Sequence, residues 1–256
     1  MITNSEAFVY KTVLYAGEIM VRSGSETYRA EDTMKRMLSS VGIENVSTFV
    51  SPTVIILGDN TKDGSCFIQN IDKRSTNLAK IENVNNLSRD FVAKKINVEE
   101  AYAKLKEIAS APSYPYILAV LGCALGCAIF SVLIGGNLSD FISALITSAI
   151  TFHTNEVIAK VSNTQFLGYF ACALAVTFVS VGLSKLGLGQ NLDSIVVGSI
   201  LPLVPGVALT TGVRDFMNGD LLSGVARIME AATIAVAIAF GVGFSLTFLH
   251  LVGVSL

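Results

Sequence analysis

The chain has 256 residues, 52% of them hydrophobic and 15% charged, with a net charge of −2 and a mean hydropathy of +0.60. That is too apolar for an ordinary soluble domain. No basic block or basic–aromatic array is present, which argues against a nucleic-acid partner.

The average conceals a split. Residues 1–113 hold 14 Lys and Arg against 14 Asp and Glu, whereas residues 114–256 hold 4 against 6. The first part reads as a soluble α+β domain and the second as a membrane domain. Glu6, Lys11 and Glu18 interrupt the apolar residues of the N-terminus, unlike the basic start and unbroken core of a signal peptide. The first domain is therefore expected to stay in the cytoplasm. Cys66, Cys123, Cys127 and Cys172 form no CxxC pair and have no histidine close in sequence, so they read as small buried hydrophobes.

In chain order, residues 5–22 predict an amphipathic helix with Val9, Val13, Ala16 and Met20 on one face. A second helix follows the Arg22-Ser23-Gly24-Ser25 break. It carries Met34, Met37, Leu38 and Val41 at helical spacing, with acidic residues near its start and Gly42 at its end. Residues 46–50 and 53–57 are rich in β-branched residues, 58–64 is a turn, and 66–71 reads as the returning strand of a hairpin. Helices are predicted at 76–94, with Leu78, Ile81, Leu87 and Phe91 inward, and at 98–110, with Asn97 and Glu100 as a capping pair.

After the joint at 111–115 come five apolar spans, at 116–134, 140–158, 166–186, 194–213 and 228–250. The fold expected is an α-helical membrane protein with five transmembrane helices, preceded by the small cytoplasmic domain. Gly122, Gly126, Gly135, Gly136, Gly241 and Gly243 are expected to let helices approach closely. With the first domain inside, Lys160, Arg214 and Arg227 lie on inner loops and only Lys185 on an outer one, which favours that orientation.

The fourth span contains Pro202-Leu203-Val204-Pro205-Gly206. Proline lacks an N–H, so a continuous helix would leave the carbonyls of Gly198 and Leu201 without donors. A broken backbone at membrane depth survives only where protein or a wet cavity covers it. The break reads either as a packed kink or as a carrier site. In the carrier site, freed carbonyls would hold a cationic group, and the N–H groups after Pro205, with Arg214, would hold a carboxylate.

Other polar residues also have two readings. His153 and Asn155, with Thr154 and Glu156, sit in the inner half of the second span, either as a relay or as a helix end meeting water with Lys160 pairing Glu156. Thr210, Thr211, Arg214 and Asp215, followed by Asp220, either line and guard the mouth of the break or form a loop that fixes topology. Glu26, Tyr28, Arg29, Glu31 and Asp32 form a polar turn into a helix, with capping, gating or interdomain roles. No GxSxG, HExxH or glycine-rich phosphate loop is present, so no catalytic residue, metal or cofactor is expected.

The run from Ala16 through Gly24-Ser25-Glu26-Thr27-Tyr28-Arg29 to Met34, Lys62-Asp63-Gly64, and above all Pro202-Leu203-Val204-Pro205-Gly206 with Arg214-Asp215, Gly219-Asp220 and Gly224 resemble the threonine/serine exporter family. The resemblance is to the family's N-terminal half, a soluble domain followed by five spans. It implies export of small hydroxy amino acids, or of dicarboxylates in some split members, by half of a split secondary transporter. The partners implied are a small-molecule substrate, the lipid bilayer, and a second five-span membrane subunit or further copies of this chain. A membrane-tethered hydrolase and a regulatory subunit of another transporter are the alternative readings.

Overall fold

The computed structural model describes residues 4–60, 64–72, 74–112, 114–161 and 164–254, with the side chains of 159–161 excepted. Lys62, Asp63 and the Lys160 side chain, on which parts of the sequence reading rest, lie outside the described residues. By packing, the chain forms two units, one of Met1–Ser113 with Gly206–Glu230, the other of Tyr114–Pro205 with Ala231–Leu256.

The first unit is built around α1, Asn4–Arg22. Its face of Val9, Val13, Ala16 and Met20 is buried, as the spacing predicts. Gly17 lies so close to α2, Thr27–Ser40, that a β-carbon there would fall 2.4 Å from Met34 Sδ. Gly42, at φ +83°, turns the chain out of α2. Three antiparallel strands follow in the order β1–β2–β3: Val46–Val50, Val54–Asp59 and Ser65–Asn70. Central β2 alternates, with Ile55, Leu57 and Asp59 buried. Then come α3, Leu78–Val92, and α4, Val98–Ser110, where Asn97 and Glu100 form the expected reciprocal capping box. The unit is completed by α9, Gly206–Met217, and by residues 221–230 of α10, Leu221–Leu251.

Three expectations about this unit fail. Cys66 is exposed, because β3 is an edge strand and Cys66 lies on its open face with Ile68. Val41 is exposed because it caps α2 and no longer follows the helical period. Leu78 is 67% exposed because it is the first residue of α3, ahead of the turn that reaches the core.

The second unit holds α5, Tyr116–Leu133; α6, Leu138–Val161; α7, Gln165–Lys185; α8, Leu192–Ser199; and residues 231–251 of α10. Close approach falls at Gly136, Gly198 and Gly241, where a β-carbon would meet Ser131 O at 2.8 Å, Ser131 Cβ at 2.7 Å and Ala173 Cβ at 2.6 Å. Gly122, Gly126, Gly135 and Gly243, expected to serve this purpose, face open space. Buried Asp140 accepts from the Asn137 N–H with Oδ2 (2.8 Å) and from the N–H groups of Gln190 and Asn191 with Oδ1 (2.7 and 3.0 Å). It thereby fixes the start of α6 to the loop before α8.

Among the described residues three helices, α5, α7 and α10, are long and apolar enough to cross a membrane; a fourth span results if α8 with the turn after it and α9 is counted as one interrupted span. By length and composition that accounts for three or four of the five spans expected. At 24 residues α6 is long enough, but Asp140, Thr147, Ser148, His153, Asn155 and Glu156 dilute its apolar run.

One buried contact in the first unit tests its packing. Tyr10 stacks on Phe67 with ring centroids 4.6 Å apart and donates its hydroxyl to Asp59 Oδ2 at 2.5 Å. Burial first, then the Asp59 carboxylate, raises the Tyr10 hydroxyl above its ordinary range, so it stays a donor. Tyr10→Phe keeps the stacking and removes a donor from a buried carboxylate. It is expected to cost about 1.5–3 kcal/mol in thermal or denaturant unfolding of the detergent-solubilised chain.

Candidate functional site

Local chemistry explains the interruption of the fourth span. After α8 ends, Leu201–Leu203 form a single 3-10 turn that admits Pro202 near its start. Val204 precedes a proline, which disfavours helical geometry, and it is extended at φ −66°, ψ 126°. Helix resumes at Gly206, directly after Pro205. The Leu201 carbonyl, which Pro205 cannot serve, accepts instead from the Val204 N–H at 3.2 Å. It is therefore not the free acceptor the sequence implied.

The polar residues of α9 meet the start of α2. Gly24, at φ +91°, reverses the chain after α1, and Glu26 stands at the N-cap of α2. Glu26 does not cap the helix with its side chain. Its Oε1 accepts from Arg214 at 2.8 Å and its Oε2 from Arg29 at 3.1 Å. The carboxylate is 8% exposed, against 66% and 41% for the two guanidinium side chains. Burial raises the Glu26 carboxyl, but a hydrogen bond from its own backbone and the Arg214 and Arg29 guanidinium groups outweigh that, holding it below the ordinary 4.5.

The capping role belongs to Asp215. Its Oδ1 accepts from the Thr27 N–H at 3.0 Å, at the buried N-terminal end of the α2 backbone. The Thr27 hydroxyl lies 3.0 Å from the same oxygen and 2.9 Å from Asp220 Oδ2, and its single hydrogen serves one carboxylate at a time. Asp215 Oδ2 faces Arg227 Nε at 3.1 Å, and Arg227 Nη2 donates to the Ser25 carbonyl at 2.8 Å. The Asp215 and Arg227 side chains are 0% and 7% exposed. Gly212 and Gly224 bring α9 and α10 together for this, since a β-carbon at Gly224 would lie 2.9 Å from the Gly212 carbonyl. Gly219, at φ +90°, turns the chain so that Asp220 opens α10.

Glu26, Arg29, Thr210, Thr211 and Arg214 also line one cleft of about 570 Å3 in the first unit. Thr210 donates its hydroxyl to its own helix at the Gly206 carbonyl, 2.9 Å away, and Thr211 is buried. Glu31 accepts from Lys35 and from the Thr48 hydroxyl, which ties α2 to β1. Tyr28 and Asp32 line an adjoining hollow, with Asp32 paired to Arg36. Pro202, Pro205, His153 and Asn155 belong to the second unit. There His153 Nδ1 is 2.8 Å from the Tyr116 hydroxyl, and Asn155 Oδ1 is 3.8 Å from Cys172 Sγ. The sequence reading missed Ser25, Thr27 and Arg227 as partners in this network. The Gly-Ser-Glu-Thr run and the arginine one turn after Gly224 were the available signals.

Two substitutions separate buried from peripheral charge. Asp215→Ala strands Arg227 and the α2 terminus, with an expected loss of about 3–5 kcal/mol. Asp220→Ala removes only a half-buried acceptor, with an expected loss of about 0.5–1.5 kcal/mol. Melting of the purified chain ranks the two. Because the Glu26 carboxyl is held below 4.5 in the folded chain, its contribution is fully present above that pH and is lost as pH falls through the depressed value. Glu26→Gln is expected to flatten that acid limb in melting temperature measured against pH.

A family model described as "Putative threonine/serine exporter" matches residues 11–249. The chain is 25% identical over 254 residues to the probable succinate transporter subunit YjjP of Escherichia coli strain K12, covering 96% of this chain and 97% of that protein. It is 23% identical to the probable threonine/serine exporter of Mycobacterium tuberculosis over 90% of this chain and 44% of that one. It is 25% identical to the threonine/serine exporter of Corynebacterium glutamicum over 90% and 49%. No solved structure matches the chain.

Proposed function

Since this chain belongs to the threonine/serine exporter family, we propose that it is a transporter subunit that exports small hydroxy amino acids or small carboxylates across the cytoplasmic membrane. The observation that carries this reading is the extent of the match, which runs through both units and covers 97% of a relative named as a probable succinate transporter subunit. Relatives named threonine/serine exporters are about twice as long as the matched region. That supports a partner subunit supplying a second set of spans, with further copies of this chain as the other arrangement.

In this proposal residues 4–112 face the cytoplasm and the chain crosses the bilayer five times, α6 being the polar crossing. Buried hydroxyls of Ser131, Thr147 and Ser180, without hydrogen-bond partners among the described residues, suit a helix bundle that passes a polar solute better than one that only packs. Transport is coupled to an ion gradient, most simply of protons. Alternating access centres on the interruption at Pro202–Gly206. Thr210, Thr211, Arg214 and Asp215 act on its cytoplasmic side, with His153 and Asn155 on the second span, and Glu26, Tyr28, Arg29, Glu31, Asp32 and Asp220 control access.

Deleting the gene and measuring efflux of threonine, serine and succinate tests the activity; unchanged efflux of all three removes the transport reading for them. Replacing both Pro202 and Pro205 with alanine is expected to abolish export while leaving membrane insertion intact. Full export by that variant, measured in the deletion strain, would refute a site at the interruption.

A further inference from the structure

The cleft beside Glu26 is completed by a face of α3 that sequence periodicity leaves as plain solvent surface. Glu82, Asn85 and Arg89 line it. Their i, i+3, i+7 spacing stacks them on one side of the helix. Arg89 also borders the adjoining hollow of about 720 Å3, and Arg29 and Asn85 line both spaces with it. Among the described residues neither Arg89 nor Glu82 has an ion-pair or side-chain hydrogen-bond partner, whereas Arg29 and Arg214 both hold Glu26. Three guanidinium groups, from α2, α3 and α9, thus face two carboxylates across one cleft, with one fork uncommitted. A position in the last turn of α3 suits any positive charge. That accounts for a cation at 89 but not for a hollow built around it.

Resting on the transporter reading, we propose that this cleft is a loading site for the carboxylate of a small organic solute, with Arg89 as its principal contact. A guanidinium fork matches a carboxylate with two parallel hydrogen bonds. Arg29 and Arg214 add positive potential without giving up Glu26. The volume of about 570 Å3 lies in the range of small-molecule sites. Glu82 stands two turns from Arg89, about 10.5 Å along the helix axis. An amino acid offers it an ammonium group and a dicarboxylate does not. The two solute classes share the carboxylate and differ at Glu82.

The test is equilibrium binding of radiolabelled serine and succinate to the full purified chain in detergent, with melting temperature measured in parallel. Arg89→Ala is expected to weaken binding of the recognised solute about tenfold or more. Arg89→Lys is expected to restore part of it, keeping the charge and losing the fork. Glu82→Gln then distinguishes the sources, since it weakens serine binding and leaves succinate binding unchanged or improved. The proposal is overturned if the wild-type chain binds neither solute. It is equally overturned if Arg89→Ala lowers the melting temperature and leaves binding untouched, the result expected of a residue that only complements a helix end. Efflux assays keep this apart from the transport reading. Export with cleft variants that bind normally removes the cleft and spares transport. Arg89-dependent binding with no solute efflux removes transport and spares the cleft.

Discussion

A carboxylate with no exposure to water survives only if its surroundings replace the water, and Asp215 is the group on which that requirement falls. Its partners come from places far apart in the chain. One oxygen takes the first free N–H of α2, the other faces Arg227 of α10, and Asp215 itself lies on α9. Removing a charge from water costs several kcal/mol, so the arrangement holds only with every member present. Packing follows from it. For Arg227 to reach both Asp215 and the Ser25 carbonyl, α9 and α10 must run close, and two facing glycines, Gly212 and Gly224, leave the room. Residues 206–230, which follow four apolar segments in sequence, accordingly fold with residues 4–112.

Several motif fragments therefore have one physical explanation. Gly24 and Gly219 reverse the chain at positive φ, which places Glu26 and Thr27 on one side and Asp220 on the other. Arg214 and Asp215 are adjacent in sequence and divide the work, one binding an acidic side chain and the other a helix terminus. The same residues carry the charge asymmetry from which a membrane orientation is read. Arg214 and Arg227 are both ion-paired within their own unit, so their charge has a local reason whatever the orientation of the chain.

Legibility in the sequence followed the range of the interaction. Local rules worked well. Strand β1 and helix α4 fall where β-branched content and capping put them, and the Asn97–Glu100 box and the interruption at Pro202–Gly206 come from residues within a turn of each other. Rules that need a partner did less well. Glu26 and Thr27 are 188 residues from the side chains they meet, and no periodicity connects them. Of the glycines chosen for close approach only Gly136 and Gly241 serve, because composition does not tell which side of a helix meets another. Leu78 and Cys66 were misplaced for a related reason: a helix's first turn and an edge strand's open face are apolar at no benefit to the core.

These contacts change where solute recognition is best sought. Two prolines in an apolar span suggest peptide dipoles set free to hold an ion. The chain recovers part of that potential at once, since the 3-10 turn gives the Leu201 carbonyl a donor in Val204. Pro202 still has no N–H to offer Gly198, and Gly198 packs against Ser131, a fully buried hydroxyl without a partner among the described residues. A neutral hydroxyl and partial backbone charges suit a polar group with little net charge. Full carboxylate charge calls for guanidinium, and the guanidinium groups line the cleft formed by α2, α3 and α9. A solute that is charged at one end and polar at the other would have to meet both kinds of surface. Its charged end is the more costly to strip of water, and in the proposed loading site the arginine-lined cleft would compensate for that loss.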